Sequence, residues 1–161
     1  MKTALAAILF ISGAATASAQ VYAANDYRTC PQPQTQRGLT VVENTCGKVV
    51  RPDFTPGTIN SVSELNAAES SRDDFKVRVA DYGTCITEFI NSYRRPGADA
   101  SSTAPDEAAC AHAWAEDQVT QSVIEYGRTC IEFSNRSIID TNIEPWSGEC
   151  YPKASATGGH G

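Results

Sequence analysis

The stretch FKVRVADYGTCITEFINSY, residues 75–93, decides the fold. In it Phe75, Val79, Tyr82, Ile86, Phe89 and Tyr93 recur at spacings of 4, 3, 4, 3 and 4. A helix turns once in about 3.6 residues and a strand alternates every two, so this period draws one apolar stripe along a helix. Traced backward, the stripe passes Arg72, Ala68 and Leu65 and reaches Ser61-Val62-Ser63-Glu64. A serine hydroxyl with a glutamate three residues on is the pattern of a capping box, which serves the unpaired amides of a helix start. Arg72 interrupts the apolar face beside Ser70 and Ser71, so the pattern predicts a break or kink there, with Ser71 and Asp74 capping a fresh start. Pro96-Gly97 ends the helix.

Outward from this helix, residues 96–105 (PGADASSTAP) are small and turn-forming and read as a loop. Pro105, Asp106 and Glu107 then open a second helix, with the ring in the first turn and acids at the positive end of the dipole. Ala115, Val119, Val123, Tyr126, Cys130 and Phe133 continue it at spacings of 4, 3, 4, 3 and 3, and fraying is expected over 135–142. Two long helices with a short loop pack as an antiparallel hairpin. With the turn near residue 100, facing positions sum to about 200 by helix geometry. Each helix carries a glycine, Gly83 and Gly127, at a cost of about 1 kcal/mol relative to alanine. Close contact between helices at those points explains their presence.

The chain has 161 residues, 41% of them hydrophobic and 20% charged, with a formal net charge of −6. One domain is expected at this length. The acidic balance argues against a nucleic-acid partner, which requires clustered Lys and Arg. Met1-Lys2-Thr3, the apolar run 4–11 and Ala17-Ser18-Ala19 before Gln20 form the three-part pattern of a secretory signal peptide, residues 1–19. Eight apolar residues are too few to cross about 30 Å of hydrocarbon, so no stable membrane insertion is expected after cleavage. Cleavage removes one cation, Lys2, and takes the formal charge from −6 to −7.

Export gives the six cysteines a meaning. Cys30, Cys46, Cys85, Cys110, Cys130 and Cys150 are even in number and contain no CxxC pair, which points to disulfides in a secreted or periplasmic protein. Cys85 and Cys110 sum to 195, close to the hairpin register, and are the favoured pair. Cys85 and Cys130 would be displaced axially by about 22 Å, beyond any disulfide span. Cys130 is then left for Cys150 or for a cysteine of the N-terminal arm. That arm, residues 20–57, carries Pro31-Gln32-Pro33-Gln34, which reads as extended chain. Its β-branched runs Leu39–Val42 and Lys48–Val50 around Asn44-Thr45-Cys46-Gly47 suggest a short β-hairpin. The helical domain spans 58–150, and the polar tail, residues 151–161, is expected to be disordered.

The fold class is therefore mainly α: a disulfide-stapled long antiparallel helical hairpin or small bundle. Two helices cannot close a core, so the N-terminal arm, a second copy or a partner must cover it. Phe75, Tyr82, Phe89, Tyr93 and Trp114 are core residues or, if left open, a groove for a partner or an apolar ligand. His112 with Glu116 one turn on, and Glu88 across the hairpin, form a weak metal-ligand set. Asp81, Glu88, Glu125 and Glu132 are the acids from which a catalytic pair could be drawn, and they equally fit solvated faces. No nucleophile elbow, zinc-protease motif or phosphate-binding loop is present, and no catalytic residue or cofactor is assigned. Asn135-Arg136-Ser137 matches a glycosylation sequon, as does Asn44-Thr45-Cys46 in its rare cysteine form. The expected role is that of a secreted or periplasmic non-enzymatic interaction or structural protein, with an unidentified protein partner or self-association. A small metal-assisted hydrolase centred on His112 and a carrier of a small hydrophobic ligand are the alternatives.

Overall fold

The computed structural model describes residues 30–151; the proposed signal peptide, and the tail beyond Tyr151, lie outside them. Three helices follow in order: α1 (Gln32–Cys46), α2 (Val62–Ser92) and α3 (Ala104–Ile139). No strand occurs among the described residues. The start of α2 is built as the sequence implies. The Glu64 amide donates to Ser61 Oγ at 3.2 Å, and the Glu64 carboxylate accepts from the Asn60 amide at 2.6 Å. Likewise α3 opens with proline in its first turn and with Asp106 and Glu107 at its dipole-positive end. It ends at Ile139, within the range 135–142 where fraying was expected.

The two long helices form the antiparallel hairpin in the expected register. Arg72 faces Tyr126, and Gly83 faces His112. The expected break near residue 71 does not occur, and α2 is one helix of 31 residues. Arg72 remains on the buried stripe because its guanidinium stacks over the Tyr126 ring while bonding Glu69 and Asp73 on its own helix.

The N-terminal arm departs from its extended reading. Residues 39–42, expected as a strand, lie inside α1, and residues 47–51 have no regular structure. Pro31 is the N-cap residue and Pro33 sits in the first turn, where a missing amide costs nothing. The buried face of α1 is Thr35, Gly38 and Val42, at helical spacing. A Cβ on Gly38 would fall 1.9 Å from the Glu107 carbonyl oxygen, so only glycine lets the α1 backbone settle this closely onto α3.

The disulfides correct the favoured pairing. Cys85 and Cys110 are not joined to each other; the bonds are Cys30–Cys110, Cys46–Cys85 and Cys130–Cys150. The first two fasten opposite ends of α1, one to α3 and the other to α2. Thus the helix that closes the hairpin is cross-linked to both of its arms. The third ties the segment after α3 back onto α3, which is one of the two partners expected for Cys130. In the chain-entropy account, loops of 80, 39 and 20 residues correspond to about 4.5, 4 and 3 kcal/mol of destabilisation of the unfolded state.

Two apolar clusters fill the hairpin. Near the α2–α3 loop, Val42 of α1 joins Phe75, Val79, Tyr82, Ile86, Ala108, Ala111 and Ala115. At the far end, Phe54 and Ile59 of the α1–α2 connection and Ile143 from beyond α3 cover Leu65, Tyr126, Cys130 and Phe133. The cover that the hairpin requires comes from α1, from the α1–α2 connection and from the segment after α3.

Candidate functional site

The aromatic groove considered from the sequence is occupied. Phe75 is fully buried and Tyr82 is 4% exposed, both beneath α1. Phe89 and Trp114 pack against the same cluster, and Phe89 meets Tyr93 with ring centroids 5.3 Å apart. Phe75 and Tyr82 are core residues, while Phe89, Tyr93 and Trp114 are half-buried at its margin.

The His112 ring abuts Gly83, and its Nε2 edge occupies the space that a Cβ there would need. The expected explanation for a glycine in α2 is thereby met. Its Nε2 is 3.8 Å from Glu116, an exposed contact across one helical turn. Among the described residues no three His, Cys, Asp or Glu side chains gather where a metal ion could be held. Gly127 is explained by a different neighbour. The Tyr151 ring, brought back by the Cys130–Cys150 bond, lies over it.

The acids of α3 hold the connection between α1 and α2. Arg51 pairs with Glu125 at 2.7 Å, Thr129 donates to the Phe54 carbonyl at 2.8 Å, and the Gly57 amide donates to Glu132 at 3.1 Å. Arg136 completes the row by donating to the Ile59 carbonyl and to Asn60. Positions 125, 129, 132 and 136 therefore form one helix face that holds the connection along its length. Glu107 plays the same part for α1, accepting from Arg37 at 2.7 Å. Helical spacing of these acids was visible in the sequence; their partners, some 70 residues away, were not.

One face stays apolar and uncovered by the described chain. On the outer side of α3, Ile131, Ile138 and Ile139 are 43%, 73% and 82% exposed. A shallow groove of about 500 Å³ runs along this surface, lined by Arg128, Ile131, Glu132, Asn135, Arg136, Ile139 and Asp140. A fraying end over 135–142 gives no hint of this face. The recurrence of isoleucine at 131, 138 and 139 was the available signal. Asn135, the sequon residue, is exposed in the middle of it, while the Ser137 hydroxyl is buried, donating to the Ser134 carbonyl and accepting from the Trp146 amide.

No protein family, curated protein or solved structure matches this chain. No helix among the described residues is long and apolar enough to cross a membrane. All six cysteines are paired, in keeping with an oxidising environment such as the periplasm or the cell exterior.

Proposed function

We propose that this chain is an exported, non-enzymatic interaction protein whose cross-linked helices present the outer face of α3 to a protein partner. The observation that carries this reading is the isoleucine face at residues 131, 138 and 139, left open on a fold whose core is otherwise closed. An exposed apolar patch rimmed by polar side chains is the kind of surface that marks a protein contact. Disulfides at both ends of α1 and after α3 support the reading, because a preorganised surface loses little conformational freedom on binding.

The test is affinity capture with the mature, oxidised protein from its own extracytoplasmic fraction, beside the variant Ile131→Asp/Ile139→Asp. Both substitutions replace exposed side chains, so the fold survives them. The expected result is a protein retained by the parent and lost by the variant. Equal retention by both would refute the α3 face as the contact surface.

A further inference from the structure

We infer that the partner of this face is a second copy of the chain, docked antiparallel through a two-fold axis at Asn135. This rests on the reading of the α3 face as a contact surface. In chain order the groove residues run Arg128, Ile131, Glu132, Asn135, Arg136, Ile139, Asp140. Read from the other end, the order is Asp140, Ile139, Arg136, Asn135, Glu132, Ile131, Arg128. Each cation now falls where an anion stood, each isoleucine on an isoleucine, and asparagine on itself.

A two-fold axis brings a helix against its own reverse, so the same patch must complement itself. Here Arg128 meets Asp140 of the second copy, Ile131 meets Ile139, and the two Asn135 amides meet at the axis. The register implied by the charges and that implied by the isoleucines differ by about 3 Å along the axis, within reach of an arginine side chain. Glu132 and Arg136 already pair with each other at 3.0 Å, so the facing copy meets no uncompensated charge there. Arg128 has no ion pair among the described residues and is free to take one from outside.

The sequence after Tyr151, PKASATGGHG, has no side chain able to fill an isoleucine stripe.

Sedimentation equilibrium of the mature, oxidised protein over a range of concentrations tests the inference, with thermal melting as a check on folding. The parent is expected to pass from monomer to dimer, and Ile131→Asp/Ile139→Asp to weaken dimerisation at least tenfold without a lower melting temperature. Arg128→Asp places like charges at both ends of the interface and is expected to weaken it by about threefold to tenfold, as is Asp140→Lys. An equal mixture of those two variants restores opposite charges at both ends and is expected to form a heterodimer more tightly than either variant forms a homodimer. A parent monomeric at every concentration, or a dimer indifferent to these substitutions, overturns the inference, as does a glycan on Asn135 of the native protein, which would occupy the axis. A monomeric parent whose capture of another protein still depends on Ile131 and Ile139 rejects the second copy and leaves the contact face standing.

Discussion

The guanidinium of Arg72 lies 4.4 Å from the centroid of the Tyr126 ring, so a buried cation of α2 rests on a buried aromatic of α3. Its side chain is 7% exposed, and its polar end is shared between Glu69 and Asp73, both of which still reach water. The aliphatic stem and the flat guanidinium thereby do the packing of an apolar residue at a stripe position. Arg72→Ala is expected to cost about 2–4 kcal/mol, the penalty of an uncovered aromatic face and a small cavity. Arg72→Leu refills that volume and leaves only half-solvated acids behind, so it is expected to cost about 1 kcal/mol or less. Urea unfolding of the two variants checks this. Equal losses would show that the charge, and not the packing, holds the helices together.

The Tyr126 hydroxyl is buried and has no hydrogen-bond partner. Removing it in Tyr126→Phe relieves an unsatisfied group while keeping the ring under Arg72 and edge-on to Phe54. The variant is expected to be as stable as the parent or more so, by up to about 1 kcal/mol, by the same denaturant measurement.

Burial raises the Tyr126 phenol above its ordinary value, with the nearby carboxylate of Glu69 adding to the effect, and burial alone raises that of Tyr82. In the unfolded chain both protons leave near pH 10, while the folded chain holds them to higher pH. Unfolding therefore releases protons in that window, and stability, complete below about pH 10, declines as pH rises through the folded values. Melting temperature measured from pH 8 to 11.5 is expected to fall on the alkaline side, and Tyr126→Phe to fall less steeply. Parallel curves for parent and variant would contradict this.

Gly38 and Gly127 are both helical glycines with a close neighbour, yet their neighbours differ in kind. At Gly38 an added methyl meets the Glu107 carbonyl of the α3 backbone, which cannot move without shifting a helix. At Gly127 it meets the ring of Tyr151, which is 48% exposed and can swing into solvent. Gly38→Ala is expected to destabilise by about 3 kcal/mol or more, as overpacking against backbone does. Gly127→Ala is expected to stay within about 1 kcal/mol, the clash being offset by better helix propensity. Comparing their melting temperatures decides the point.

Much of the hairpin was legible in the sequence. The six-residue stripe of α2, its capping box, the acidic opening of α3 and the register of the two helices all rest on local patterns of large apolar or capping residues. The short helix was not. Its buried face is built from Thr35, Gly38 and Val42, two of which carry no apolar signal, and its prolines occupy positions suited equally to an extended chain. Misreading that arm carried the disulfides with it. Cys85 and Cys110 do lie near one level of the hairpin, but each side chain bonds to an end of α1 that the pattern did not reveal. Arg72 looked like an interruption because its packing partner, Tyr126, lies 54 positions further along the chain. The outer face of α3 was visible only as isoleucines, whose exposure depends on where every other element lies.

A third helix cross-linked to both arms of the hairpin is the relationship on which the rest depends. Peptide mapping of the oxidised, unreduced protein by mass spectrometry tests it most directly. The expected cross-linked peptides join Cys30 to Cys110, Cys46 to Cys85 and Cys130 to Cys150. A peptide joining Cys85 to Cys110 would contradict the account, because α1 would then be fastened to neither arm.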